Sequence, residues 1–421
     1  MRYRYTIGLA AGALALSLPA EAQSIDTDTL RLIDAISIAV EANPALVATR
    51  LRADAAMERV RPAGALPDPQ LMFGLMNRPV NGFGTDQPMT MNTIQVSQRI
   101  PWPGKLRFAS EGMEEYAEAF RWDASEAELQ LSSNVTGRYL RIAFLDRAVL
   151  IMRETKGLLE DFLEVANANY SVGTGIQQDV LQAQVTIAQI EESITTMEQE
   201  RIAAAARLNG LLGRDATEPV PALELHEIGD QLPAPDSLMI LALSNRPAFH
   251  AEESRIAAAE RSVSSAGRAA YPDLMITLGY GQRPQFDDMA TVMVGMSLPL
   301  WAGKRYAPRT REMTAMLNAA QSQEENLRTE TYAQIVEQHA SAERARRLAT
   351  LYSTSILPQA TASVSAALSS YRVGRTDYMT LVQSQLTVNR YETEAVRLRT
   401  EYRQAIANLE ALVGISLEEI R

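Results

Sequence analysis

One short stretch of this chain occurs twice. Tyr170-Ser171-Val172-Gly173-Thr174-Gly175 returns as Tyr371-Arg372-Val373-Gly374-Arg375-Thr376, an offset of 371 − 170 = 201 residues. The segments that follow hold the same offset. Leu181-Gln182-Ala183-Gln184 is answered by Val382-Gln383-Ser384-Gln385, and Leu208-Asn209-Gly210-Leu211-Leu212-Gly213 by Leu409-Glu410-Ala411-Leu412-Val413-Gly414. A constant offset kept over about 45 residues is an internal duplication, and it restricts the chain to folds made of two similar halves sharing one body.

The halves can be followed element by element. Residues 29–42 read as a short helix with Ile33, Ile36 and Val40 on one face, and Pro44 opens a second helix to about Arg61. Asn245-Arg246-Pro247-Ala248 repeats that start. Leu71, Phe73 and Leu75 then alternate with Gln70, Met72 and Gly74. A polar loop follows, and a return run places Ile94, Val96 and Ile100 opposite Thr93, Gln95, Ser97 and Arg99. Two period-2 segments around such a loop predict a β-hairpin. The second half does the same with Leu274, Ile276, Leu278 and Tyr280, then Val292, Val294, Met296 and Leu298. Thr277 takes the polar side there. Both hairpins end in a sharp stop, Pro101-Trp102-Pro103-Gly104-Lys105 and Pro299-Leu300-Trp301-Ala302-Gly303-Lys304.

Long helices are predicted at about 105–170 and 304–370, with an irregularity at Pro358 in the second. The glycine repeats turn the chain back into return helices at about 176–213 and 376–413. Their apolar residues recur every seven positions, as in Leu381, Val388, Ala395, Tyr402 and Leu409, so the helices should supercoil on one another. The division expected is a first repeat at 23–213, a connector at 214–235 rich in proline, a second repeat at 236–414, and a tail at 415–421.

The first 22 residues stand apart: Arg2 and Arg4, an apolar run from Ile7 to Leu18, then Ala20-Glu21-Ala22. This is the pattern of a secretory signal peptide, so the mature chain is expected beyond the inner membrane. There is no cysteine, which excludes disulfides, thiolate metal sites and a lipidated N-terminal cysteine. A net charge of −11 argues against nucleic acid. His226, His250 and His339 are far apart with no metal-ligand spacing, and no phosphate loop or nucleophile elbow is present. No enzyme, cofactor or metal site is therefore expected.

Two hairpins, each with an apolar face, do not stand alone in water. They make sense in a closed membrane barrel, apolar outward and polar inward, but four strands are too few when the smallest such barrels have eight. The chain must then assemble with copies of itself. The order of signal peptide, short helices, hairpin, long helix, Tyr-x-Val-Gly turn and return helix, twice over, closely resembles the TolC-type outer-membrane efflux channels. The fold class that this implies is mostly α with a small membrane β-barrel part. A homotrimer would contribute four strands per chain to one barrel in outer-membrane lipid, and the helices would continue it as a periplasmic tunnel. A periplasmic adaptor and an inner-membrane pump of the resistance-nodulation-division type would complete the machine.

The resemblance also assigns residues. Val172, Gly173, Thr174, Val373 and Gly374 would form the tips that dock the adaptor, although both glycines also suit the ordinary left-handed end of a helix. Asp179, Arg375, Asp377 and Tyr378 would hold the periplasmic mouth shut, against the plainer reading of a solvated helix surface. Thr93, Gln95, Ser97, Arg99 and Thr277 would line the barrel lumen. Met89-Thr90-Met91 and the Pro101–Lys105 stop look like the heavy-metal branch of the family. Methionines also cluster near the hairpins: Met72, Met76, Met89 and Met91, then Met275, Met289, Met293 and Met296. Thioethers suit soft cations, but methionine is equally an ordinary apolar filler. The expected function is a passive exit duct, with heavy-metal cations as cargo. Drug efflux or type I protein secretion is the alternative within the fold. A periplasmic adaptor would show one helical hairpin and a compact β domain rather than this duplication.

Overall fold

The computed structural model describes residues 30–417 apart from 81, 83, 224, 226, 227, 230 and 231. The expected signal peptide lies outside the described residues, as does most of the expected tail. Helix α1 (Leu32–Ala42) gives way to α2 (Pro44–Met57) at Asn43, whose side-chain oxygen accepts from the Ala45 and Leu46 N–H groups at 3.0 and 3.1 Å. The helix expected to run on to about Arg61 stops at Met57 and resumes as α3 (Val60–Gly64). Pro62 is the physical reason, because its ring has no N–H to donate and crowds the carbonyl four residues back.

Strands β1 (Gln70–Met76) and β2 (Met91–Ile100) precede α4 (Lys105–Ser171) and α5 (Gln177–Leu212). The second half repeats the order. Helices α6 (Pro235–Asn245) and α7 (Pro247–Arg268) lead to β3 (Leu274–Gln282) and β4 (Met289–Met296). Next come α8 (Ala302–Leu351), a π-helical turn (Tyr352–Ile356), α9 (Leu357–Arg372) and α10 (Tyr378–Val413). The irregularity expected at Pro358 is that π turn, where one wide loop of backbone accommodates the missing N–H. Pro308, inside α8, is a second proline that the helix absorbs. Helix α4 has 67 residues, and at 1.5 Å per residue it extends ~100 Å.

Packing follows the seven-residue seams. Leu381, Val388, Ala395, Tyr402 and Leu409 of α10 are all buried, as are Ala183, Ile190, Ile194, Ala204 and Leu208 of α5. Two equivalent cores result. Ala35 and Ala39 of α1 pack with Val135, Tyr139 and Leu208 on α4 and α5, while Leu238 and Ala242 of α6 pack with Ile335 and Leu409 on α8 and α10. Helix α7 lies against both α4 and α8, so it ties the two halves into one body.

The four strands form one antiparallel sheet in the order β1-β2-β3-β4. Its register sets Ile94 opposite Phe73 and Tyr280, and Val96 opposite Leu71 and Leu278. On the other face Ser97 stands opposite Gln70 and Thr277, and Thr277 opposite Met293. The two hairpins thus meet along β2 and β3, leaving β1 and β4 as open edges.

Candidate functional site

Along the centre of the sheet, where β2 meets β3, the usual rule of burial is inverted. The sheet's apolar face is the exposed one: Phe73 is 72%, Val292 71%, Val294 69% and Leu278 55% accessible. On the opposite face Ser97 and Thr277 are only 6% and 7% accessible, and their hydroxyls share a hydrogen bond at 2.8 Å. Thr93 donates to the Gly74 carbonyl at 3.2 Å on the same side. Gln95 stands opposite Gly279 and Arg99 opposite Met275, so all five expected lumen residues share one face. An apolar face left in water costs roughly 1.5–3 kcal/mol for each large side chain relative to burial. A face of this kind needs lipid or protein against it.

Strand alternation also sorts the methionines. Met72, Met76, Met91, Met275, Met289 and Met293 all fall on the polar side, while Met296 lies on the apolar side. The sequence marked these residues as a cluster near the hairpins; only the register shows that six of them share the face of Thr93 and Thr277. Met91 closes over Gly281, where a Cβ would sit 2.7 Å from its sulfur.

Sheet and helices are joined at a built corner. Lys105, the first residue of α4, donates from Nζ to the Asp273 carboxylate at 2.7 Å and to the Tyr271 carbonyl at 2.8 Å. The Trp102 N–H donates to the same carboxylate at 3.1 Å, and the Trp102 ring stacks on Tyr271 with centroids 5.5 Å apart. The first repeat's stop motif therefore locks onto the second repeat's strand entry. Both motifs were visible as punctuation in the sequence, but nothing in their spacing said that they touch.

At the far end of the helices sit the two turns. Gly173 has φ +77° and Gly374 φ +70°, the left-handed conformation in which glycine is favoured. The turns close alike: Gly173 N–H bonds to the Tyr170 carbonyl at 3.1 Å and Gly374 N–H to the Tyr371 carbonyl at 3.0 Å. Val172 and Val373 project at the ends, 72% and 66% accessible. The four expected gate residues separate into different environments. Tyr378 is fully buried against Tyr371 in an edge-to-face pair 5.7 Å apart, so it belongs to the tip's core rather than its rim. Its hydroxyl has no hydrogen-bond partner among the described residues, and burial pushes the phenol up. Asp377 caps α10 through the Thr380 hydroxyl and N–H, which hold its carboxyl below the usual range. Asp179 is pushed the other way, by burial and then by the neighbouring Asp377 carboxylate. Arg375 is exposed and makes no ion pair among the described residues.

Among the described residues no group of three or more His, Cys, Asp or Glu side chains is placed to hold a metal ion. No single helix there is long and apolar enough to cross a membrane. A sheet with one apolar and one polar face, set at the head of long paired helices, is the arrangement of the outer-membrane channel class. The chain belongs to the outer membrane efflux protein family, which it matches over residues 35–214 and 238–415. Members of that family transport rather than catalyse, so this chain is not an enzyme. Among curated proteins it is similar to the fusaric acid resistance protein FusA of Burkholderia cepacia, 27% identical over 277 residues, 61% of this chain and 52% of FusA. It is also similar to the pyoverdine export outer membrane protein OpmQ of Pseudomonas aeruginosa, 26% identical over 341 residues, 76% of this chain and 68% of OpmQ. The chain thus spans about half the length of the first relative and about two thirds of the second. Its fold matches the outer membrane protein VceC of Vibrio cholerae with a TM-score of 0.78 at 18% identity, covering 92% of this chain and 96% of that one. It matches CusC with a TM-score of 0.78 at 16% identity, covering 92% of each chain.

Proposed function

We propose that this chain is the passive outer-membrane exit duct of a tripartite efflux system, assembled as a homotrimer. Three four-stranded sheets close one barrel in outer-membrane lipid, and the helices continue it into the periplasm. The observation that carries this reading is the inverted sheet, with Phe73 and Val294 exposed on one face while Ser97 and Thr277 are buried on the other. Thr93, Gln95, Ser97, Arg99 and Thr277 line the lumen. The tips at Val172, Gly173, Thr174, Val373 and Gly374 dock a periplasmic adaptor. Asp179, Arg375 and Asp377 border the mouth, with Tyr378 packed behind them. A resistance-nodulation-division pump in the inner membrane supplies the energy, since members of the efflux family transport rather than catalyse.

For cargo we take heavy-metal cations as the leading reading, supported by the stop motif and by six thioethers on the lumen face. Small chelating or aromatic organic acids are the second reading, favoured by the names of FusA and OpmQ. Metal content of cells with and without the chain, measured by mass spectrometry under copper, silver, zinc or cobalt challenge, separates the two. Retention of one metal in the deletion strain, reversed by complementation, is expected. Unchanged metal content with new sensitivity to fusaric acid would move the cargo to organic acids. Recovery of the chain only as soluble periplasmic monomer would refute the duct itself.

A further inference from the structure

The corner at Lys105 is an in-chain joint between the two repeats, and the duplication supplies its Trp, Lys and Asp a second time, with Leu66 in the place of Tyr271. The second stop motif carries Trp301 and Lys304 where the first carries Trp102 and Lys105. The first strand entry carries Leu66-Pro67-Asp68 where the second carries Tyr271-Pro272-Asp273. Within one chain the first stop grips the second entry, burying the Lys105 and Asp273 side chains to 18% and 25% accessibility. Among the described residues the second stop and the first entry form no such joint; the entry's Pro67 carbonyl only accepts from Gln98 Nε2 at 2.8 Å. Trp301 is 68% and Leu66 55% accessible, Lys304 and Asp68 are exposed, and neither charge has an ion-pair partner among the described residues. They flank the two open edges of the sheet, β4 and β1.

We infer that the subunit joint is a copy of the in-chain joint: Lys304 of one copy bonds to Asp68 and the Leu66 carbonyl of the next, with Trp301 packed on the Leu66 side chain. This rests on the reading of the sheet as part of a multi-chain barrel and specifies how its edges meet. The register takes its own fixed points, the proline that closes each return strand (299 − 101 = 198, one less than the 304 − 105 = 199 that relates the two lysines) and the aspartate of each strand entry. Aligning Pro101 with Pro299 relates β2 to β4, and aligning Asp273 with Asp68 relates β3 to β1. The observed pairs Ser97–Thr277 and Val96–Leu278 then become Gly295–Met72 and Val294–Phe73 between copies. Two independent features agree with this register. Both faces stay consistent, since Val294 and Phe73 are exposed apolar residues of the lipid side while Gly295 and Met72 are on the lumen side. The helices leave a matching gap as well: α7 packs on α4 and α8, whereas its counterpart α2 packs on α4 and leaves Leu51 61% accessible. Met316 on α8 is similarly uncovered at 58%.

The absence of native cysteine makes the test clean. The full chain is expressed in its own outer membrane with paired cysteines, and covalent chains are counted under non-reducing conditions. Directly opposed strand residues have Cβ atoms about 4.5–5.5 Å apart, near disulfide reach, whereas a two-residue slip sets them about 7–8 Å apart. Val294→Cys with Phe73→Cys, or Gly295→Cys with Met72→Cys, should therefore cross-link chains, and Val294→Cys with Leu71→Cys should not. Lys304→Glu should lower the yield of detergent-resistant oligomer about tenfold by placing like charges together, and adding Asp68→Lys should restore it. Cross-linking only in the slipped pair overturns the register. Full assembly of Lys304→Glu, or no rescue by Asp68→Lys, overturns the joint. In both cases a membrane-inserted oligomer leaves the duct reading intact. A soluble wild-type monomer would sink both.

Discussion

Two pairs of glycines look alike in the sequence and differ in what surrounds them. Gly173 and Gly374 have positive φ and nothing within 4 Å of where a Cβ would stand. Gly213 and Gly414 also have positive φ, but their Cβ positions fall 2.7 Å from the Ala42 carbonyl oxygen and 2.6 Å from the Asn245 carbonyl oxygen. The second pair is where each return helix ends against the hinge between its repeat's two short helices, and backbone cannot move aside as a side chain does. Gly374→Ala should therefore cost only the left-handed penalty, roughly 1–2 kcal/mol. Gly414→Ala adds overpacking against fixed backbone and should cost about 3 kcal/mol. Denaturant midpoints of the two variants in the same detergent check this, and equal losses would show that the α6–α7 hinge yields freely. It also follows that the tip glycines tolerate side chains sterically, so a docking defect in a tip variant reads on the partner rather than on folding.

At the scale of elements, the duplicated helix starts have diverged in purpose. Asn43 caps α2 and donates to the Leu211 carbonyl at 2.9 Å. Arg246, in the same place before α7, instead reaches the Glu126 carboxylate of α4 at 2.7 Å and the Thr331 hydroxyl of α8 at 2.9 Å. Its side chain is 10% and that of Glu126 12% accessible, so this is a desolvated clamp across three helices. Removing one partner strands the other charge: Arg246→Ala should cost roughly 3–5 kcal/mol, while Arg246→Met with Glu126→Gln should recover most of it. A double-mutant cycle on urea midpoints measures the coupling, and additive losses would mean that the clamp contributes no specific interaction. The sequence contained the helices, their seams and the hairpins, because period and punctuation are local. It did not contain the partner of Arg246, 120 residues away. Periodicity shows which helix face is apolar, but not which charge on the opposite side is covered by a third helix. The same limit applies to Tyr378: the sequence offered it as a gate residue or as solvated helix surface, and only the packing of Tyr371 against it places the ring inside.

For the whole molecule the question is what solvent each sheet face meets, and adjacent residues of β4 answer it. Val292 pairs with Leu278 on the apolar face, and Thr291 pairs with Gly279 on the opposite, polar face. Both are exposed in a single chain, so exposure alone does not separate them. In a lipid-embedded barrel they face opposite media. A lysine on the lipid side of a barrel costs roughly 2–4 kcal/mol at mid-depth, whereas a lumen lysine stays in water and tunes selectivity. Val292→Lys should therefore reduce the heat-modifiable oligomer in the outer-membrane fraction severalfold. Thr291→Lys, with the same added charge one residue away, should assemble fully and shift ion selectivity toward anions in planar bilayers. Equal assembly of the two variants would mean that β4 has water on both sides. The sheet would then have to be covered by protein rather than lipid, and the efflux-channel family would have in this chain a member whose strands do not span a membrane.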